Sequence, residues 1–376
     1  VNRLCLPISV AAIAFAVVLA GCGGLQPPPG APSAMSATSS GSESGLTPLS
    51  ASRLFGLTIP RYVARPVHRA TKTWMSPSAK SAQKLLYVSD ADTNSVLVYD
   101  FPSGTEVGDL TTDIDSPYGQ CVDKKGNVYI ANFDSAETVE YAHGGSTPIA
   151  EFSGGGHPIG CAVDRQGDLA VASLYSATGP GALYVWTHGE GTPAEYQYGD
   201  PCLNMYPPGY DEKGNVIVEC VGYASKGNGE GDWNTSIVCA LLKGTTSLTM
   251  LSFNQSIGFA SGTMWDGKYI ALGDTMHDNL DETAVYQTSL SGSTLTLEGT
   301  TVLDDTCGGY YADLVQPFIV GEKNTPINRK QGKVLIGVSR HCTDTIAFWR
   351  YPAGGDPFKT ASGPEFPYGQ SVSIAE

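Results

Sequence analysis

Charge is scarce in this sequence, and basic charge is scarcer still. Only 16% of the 376 residues are Asp, Glu, Lys or Arg, and 22 basic side chains face 37 acidic ones, a formal charge of −15. So low a charged fraction argues against a coiled coil or a long solvated helical protein. A net charge of that sign argues against nucleic acid as a partner, because phosphate binding needs a basic face. Amphipathic helical periodicity of useful length is also missing. The chain has no Gly-x-Ser-x-Gly elbow, no His-Glu-x-x-His and no P-loop, so none of those signatures assigns it a chemistry. What is present is 41% hydrophobic residues, enough for a packed core, together with 45 Gly and 24 Pro.

The deficit of basic charge is uneven. Residues 1–84 hold eight Lys/Arg (Arg3, Arg53, Arg61, Arg65, Arg69, Lys72, Lys80, Lys84) and one acid, Glu43, leaving 14 basic and 36 acidic side chains, net −22, for residues 85–376. Within the first part, Leu4–Leu19 is an apolar run behind Arg3, short for a spanning helix and followed by small residues, which reads as a secretory signal. Leu19-Ala20-Gly21-Cys22 resembles the lipobox of bacterial lipoproteins. That resemblance implies cleavage before Cys22, acylation of that residue, and a place in the bacterial cell envelope, lipid-anchored to a membrane and facing outside the cytoplasm. Residues 1–21 are then the signal peptide. Residues 22–84 are the acylated Cys plus a Gly/Pro/Ser-rich and then basic tether, of which 23–50 has too little apolar surface to offset chain entropy. The basic stretch 53–84 suits either a contact with anionic lipid headgroups or a solvated tail lying along its own acidic domain.

From Leu85 onward one pattern recurs. Asp123-Lys124-Lys125-Gly126-Asn127 leads into Val128–Ala131, Asp164-Arg165-Gln166-Gly167-Asp168 into Leu169–Ala172, and Asp211-Glu212-Lys213-Gly214-Asn215 into Val216–Glu219. Weaker copies start at Trp265 and Lys330, and Leu85–Asp90 is a sixth strand of the kind. Glycines 126, 167, 214, 267 and 332 are 41, 47, 53 and 65 residues apart, at or just above the interval of propeller blades. Pro117-Tyr118-Gly119-Gln120 and Pro158-Ile159-Gly160-Cys161 precede two of these copies, and Pro367-Tyr368-Gly369-Gln370 returns at the C-terminus with no strand after it. The expected fold is therefore all-β, a six-bladed β-propeller over 85–376, with the C-terminal strand supplying the inner strand of blade one. The pattern resembles the NHL-type propellers, whose neighbours include strictosidine-synthase-like and gluconolactonase-like proteins. The resemblance rests on structural motifs, which say little about activity.

In a propeller the loops from second to third strand, and those leading into each blade, share one face. That face collects Asp90, Asp92, Asn132, Asp134, His157, Asp274, His277, Asp278, Arg340 and His341, the expected binding face. Asp90-Ala91-Asp92-Thr93-Asn94 opens like a calcium loop, but Ser95 stands at position six and Phe101 at position twelve, so an Asx turn is the better reading. The gluconolactonase-like resemblance implies a central calcium, for which Asp90, Asn132 and Asp274 are the contributors at hand. His157, His277 and His341 offer a three-His zinc set of the kind found in six-bladed amidating lyases, though no spacing signature joins them. His143 and His188 precede Gly-rich outer turns and read as exposed. Export permits disulfides. Cys202 and Cys220 occupy the lead-in and second-strand positions of blade four, and Cys307 and Cys342 the corresponding places in blade six, so both pairs are expected to bridge, with Cys220–Cys239 as rival. Cys121 and Cys161 lie on inner strands and read as small buried residues. The functional expectation is a lipid-anchored binding or scaffold module for an envelope protein, peptide or glycan. The alternative is a metal-dependent lactonase, hydrolase or lyase using calcium or zinc.

Overall fold

In the computed structural model the described residues are 72–176, 179–225, 231–277, 282–304, 316–321, 332–339 and 344–375. Chain contacts separate Val1–Ser44 from Gly45–Glu376, and all described residues belong to the second unit. They form six sheets, antiparallel but for the parallel pairing of Ser252–Phe253 with Thr294–Leu303, arranged as a six-bladed β-propeller. From the axis outward, blade two runs Pro117–Val122, Val128–Asn132, Glu137–Tyr141, Pro148–Ser153. Blade one is built as its sequence copy implies. The C-terminal strand Pro367–Ile374 lies innermost and pairs with Lys84–Asp90, which places the two ends of the ring in one sheet.

The ring also takes in residues that the sequence assigns to the tether. Trp74–Met75 pairs with Thr105–Leu110 on the outer edge of blade one, and a 3-10 turn follows at Pro77–Ser81. Lys84 is 1% exposed and donates to the Gly321 carbonyl at 3.0 Å, so it joins blade one to blade six instead of facing lipid. Among the described residues the sheets therefore extend upstream of residue 85, to Trp74–Met75. His143 differs from expectation too: its Nδ1 lies 2.6 Å from Ser373 Oγ and its Nε2 2.8 Å from the Ala82 carbonyl, linking the outer turn of blade two to the closing strand and the lead-in segment. His188 stays exposed, at φ 54°.

The repeated Asp-x-x-Gly turn has a local cause. Asp123 Oδ1 accepts from the backbone N–H groups of Lys125 and Asn127, both at 2.8 Å, and Asp164 and Asp211 do the same in their blades. Asp266 repeats it with Lys268 and Tyr269. The glycine that follows sits at φ 83–91° in all four copies, where side chains are disfavoured.

The Pro-x-Gly motif answers to a long-range cause. Each inner strand that carries it starts with a β-bulge, and the glycine lies where the next inner strand crowds in. A Cβ on Gly369 would stand 2.5 Å from the Tyr118 carbonyl, one on Gly119 2.5 Å from the Ile159 carbonyl, and one on Gly160 2.7 Å from Pro207. Gly262 of blade five also packs on Pro207, where a Cβ would stand 3.0 Å from the proline's own Cβ. Backbone thus packs on backbone around the axis. Glutamines finish the seam: Gln316 Oε1 accepts from Gln120 N at 2.9 Å, Gln316 Nε2 donates to Gln120 O at 2.8 Å, and Gln370 Nε2 donates to Gln316 O at 2.6 Å.

One consequence overturns an expectation. Cys121 and Cys161 are bridged, Cα–Cα 5.4 Å, tying the inner strands of blades two and three. Reasoning inside single blades misses this pair, because the close approach that permits it exists only between neighbours in the ring. Cys202–Cys220 is bridged as expected, Cα–Cα 5.0 Å, and Cys239 is a buried free thiol, so the rival pairing is not formed. Cys22, Cys307 and Cys342 lie outside the described residues.

Candidate functional site: the loop-rich face

The second strand of four blades carries a polar residue that faces the first residue of the inner strand, and each ties down the loop leading into its blade. Asp90 sits opposite Pro367, with Oδ2 accepting from Glu365 N at 2.6 Å and Oδ1 from Phe366 N and Thr93 N. Asn132, opposite Pro117, accepts from Asp115 N at 3.2 Å and donates to the Asp113 carbonyl at 2.7 Å. Ser173, opposite Pro158, donates to the His157 carbonyl at 3.0 Å. Asp274, opposite Ala260, accepts from Phe259 N and Met276 N, both at 3.1 Å. All four are buried. The alternation of the strand puts them there, and backbone groups of an irregular loop, N–H for Asp90, Asn132 and Asp274 and a carbonyl for Ser173, give each a partner.

The expected face residues fall into three local groups. In blade one, exposed Asp92 stands by buried Asp90; burial raises the pKa of the Asp92 carboxyl, and the negative charges of Asp90, Glu365 and Asp344 raise it further. Around blades two and three, His157 Nδ1 donates to the Phe133 carbonyl at 2.9 Å, which leaves Nε2 as the acceptor in the neutral ring. Asp134 is raised by burial and by Asp115, with His157 acting the other way. In blade five, the Tyr286 hydroxyl lies 2.8 Å from His277 Nδ1 and 3.1 Å from Asp274 Oδ2, and the His277 ring packs edge-on against Tyr286. Asp278, Arg340 and His341 lie outside the described residues.

The donor set does not fit the central calcium implied by the gluconolactonase-like resemblance. Both carboxylate oxygens of Asp90 and of Asp274, and the side-chain oxygen of Asn132, already accept hydrogen bonds within their own blades. Among the described residues the one close group of metal-ligating types is Cys202, Cys220 and Cys239, with sulfurs within 4.8 Å of one another, and two of these are joined as a disulfide.

Tyrosines Tyr118, Tyr175 and Tyr206, which the sequence places in the loops of this face, join phenylalanines in an aromatic crown around the axis. Tyr118 lies between Phe133 (centroids 4.7 Å, stacked) and Tyr368 (3.7 Å), Tyr368 meets Phe366 (5.6 Å), and Phe133 meets His157 (5.0 Å). Across the ring Tyr206 and Phe259 meet edge to face at 5.6 Å. Tyr118, Phe133, Tyr206 and Tyr368 are buried, whereas Phe259, Phe366, His157 and Tyr175 are half-exposed on the outer side of the crown. The available signal was an aromatic one residue before or after the proline that starts the inner strand, as in Phe366-Pro367-Tyr368.

No family model matches the chain, and no curated protein matches it. Solved structures do. The chain is similar to a protein of unknown function from Bacteroides caccae, at 10% identity and TM-score 0.52, over 78% of this chain and 100% of that one. It is also similar to a chain in the crystal structure of a nidogen–laminin complex, at 13% identity and TM-score 0.51, over 78% of this chain and 99% of that one. At such identities the likeness is one of fold.

Proposed function

We propose that this protein is an exported lipoprotein, anchored through acylated Cys22, whose NHL-like propeller is a binding module presenting its loop-rich face to an envelope protein, peptide or glycan. The observation that carries the reading is the set of four buried pins, Asp90, Asn132, Ser173 and Asp274, each holding a lead-in loop by its backbone. Polar side chains used in this way preset a recognition surface, which lowers the ordering cost of binding. Half-exposed Phe259, Phe366 and Tyr175 add rigid, flat contact area of the sort that peptides and sugar rings stack upon. The chain joins the ring at Trp74–Met75 on the outer edge of blade one, where Thr73 Oγ1 accepts from the backbone N–H groups of Thr111 and Thr112 in the lead-in to blade two, which supports a tether attached at the rim beside this face.

Two measurements test the proposal. Cross-linking of the full-length protein in cell envelopes should capture a saturable partner, and the double variant Phe259→Ala/Phe366→Ala should lose about tenfold or more of that capture. Equal capture by both proteins, or none by the wild type, sinks the binding-face reading. Separately, Cys22→Ser should abolish acyl labelling and move the protein from the membrane to the soluble fraction. Retention at the membrane would overturn the anchor.

A further inference from the structure

The free thiol of blade four lies against the bridge of the same blade. Cys202, Cys220 and Cys239 have their sulfurs within 4.8 Å of one another, and all three residues are 0% exposed. The sheet accounts for two of them. On the second strand, Val216–Ser225, and the third, Gly231–Leu241, Val218 faces Cys239 and Cys220 faces Ile237, so the two cysteines are diagonal neighbours on one side of the sheet. Cys202 reaches them from the lead-in segment. Its N–H donates to the Gly199 carbonyl at 2.6 Å, and Asn204–Met205 just after it pairs with Val221 and Cys220.

A buried cysteine is ordinarily a small apolar side chain. Cys239 differs, because a third sulfur beside a disulfide is a nucleophile next to its electrophile. Exchange among three sulfurs needs neither oxidant nor reductant. The Cys239 thiol gives its proton to water and its sulfur bonds to Cys220 Sγ. The Cys202–Cys220 bond breaks with its electron pair on Cys202 Sγ, and that thiolate takes up a proton. Burial pushes the Cys239 thiol up to about 12, so little thiolate forms at neutral pH and the exchange is slow in the closed blade. Cys202 is the leaving group that the fold favours. The new bridge ties two strands that are already paired, whereas Cys202 sits in an irregular segment, next to Leu203, whose N–H donates to the Val221 carbonyl at 3.1 Å.

We infer that Cys202, Cys220 and Cys239 form a thiol–disulfide switch, in which the bridge moves from Cys202–Cys220 to Cys220–Cys239 and releases the lead-in segment of blade four. That segment runs into Tyr206, which meets Phe259 in the aromatic crown. It also touches blade three, where Asn204 Nδ2 donates to the Leu174 carbonyl at 2.9 Å and the Leu203 carbonyl accepts from Gly181 N at 2.6 Å. Freeing Cys202 therefore loosens the blade-four side of the loop-rich face. The exchange stands on the sulfur cluster alone, and only its effect on ligand capture rests on the binding reading.

Thiol trapping in the folded, full-length protein tests the inference. Wild type held at about pH 8.5 with excess N-ethylmaleimide, then digested without reduction, should carry the label on Cys202 together with a linked Cys220–Cys239 peptide. Cys239→Ala should lose the Cys202 label and keep the Cys202–Cys220 bridge. Label confined to Cys239, or on none of these cysteines, would overturn the switch, as would Cys202 labelling in Cys239→Ala. Label on Cys220 with a Cys202–Cys239 link would overturn its direction. Cys202→Ala gives a second reading that does not depend on the rate of exchange. Oxidised glutathione should join Cys220 to Cys239 in this variant, with circular dichroism to check the fold, and hydrogen exchange at Leu203 should be faster than in wild type. Free Cys220 and Cys239 thiols in the folded, oxidised variant would sink the alternative bridge, and unchanged exchange at Leu203 would sink the release of the segment.

Discussion

Replacing both Cys121 and Cys161 with alanine isolates the contribution of the bridge between blades. The two residues are 40 positions apart, and the loop-closure relation for a cross-link of that span gives about 4 kcal/mol of stabilisation through the unfolded chain. The Cys202–Cys220 bridge spans 18 positions and gives about 3 kcal/mol by the same relation. Cys121 and Cys161 are 6% and 1% exposed, so alanine at these sites adds a small packing loss to the entropic one. At about 2 °C per kcal/mol for a domain of this size, the melting temperature of the double variant should fall by roughly 8 °C. Urea unfolding without reductant is the direct assay. The midpoint should drop and the slope should rise, because an uncrosslinked chain exposes more surface when it unfolds. The reasoning fails if the double variant lies within about 1 kcal/mol of wild type, or if peptide mapping of alkylated wild-type protein finds Cys121 and Cys161 as free thiols.

Three further outcomes follow from the same geometry. Asp109 is 7% exposed and its carboxyl is pushed up to about 6, first by burial and then by Glu106 and Asp90, against a hydrogen bond from Ser95. A folded pKa above the unfolded one favours the protonated native state, so this contribution is complete below about pH 4 and is lost as pH rises to 6. Asp109→Asn should therefore gain up to about 3 kcal/mol over wild type at pH 7 and nothing at pH 3.5, read as the difference in urea midpoints; a pH-independent difference would refute it. Gly119→Ala drives a methyl onto the Ile159 carbonyl and should cost about 1–3 kcal/mol by overpacking, whereas Gly155→Ala, whose Cβ would stand 3.5 Å from Trp186, should be close to neutral by thermal melting. Asp90→Ala removes the acceptor for three backbone N–H groups and should cost about 2 kcal/mol. It should also speed hydrogen exchange at Glu365 and Phe366 and leave the Phe259 loop of blade five unchanged.

The features that could be read from the sequence were those whose causes are short-range or repeated. The Asp-x-x-Gly turn is closed by hydrogen bonds between residues two to four apart, so the same letters recur wherever the turn does. Recurrence gave the number of blades, and the unpaired Pro367-Tyr368-Gly369-Gln370 gave the closure of the ring, because an inner strand without a following partner must find one elsewhere. Cys202–Cys220 was accessible by the same logic, both residues belonging to one blade.

What only the tertiary structure decided are the contacts between blades, since residues 40 to 275 positions apart leave no local pattern. The Cys121–Cys161 bridge, the crowding of Gly119 and Gly369, and the burial of Lys84 against Gly321 all come from inner strands converging on one axis. The same holds for the face residues. Their polar character and their loop ends could be read in the chain, but not that Asp90 would bind the backbone at Glu365 or that Asp274 would meet Tyr286. A carboxylate in a strand-end position looks the same in sequence whether it faces a ligand or the backbone of its own lead-in loop; which partner it takes depends on where the ring brings that loop.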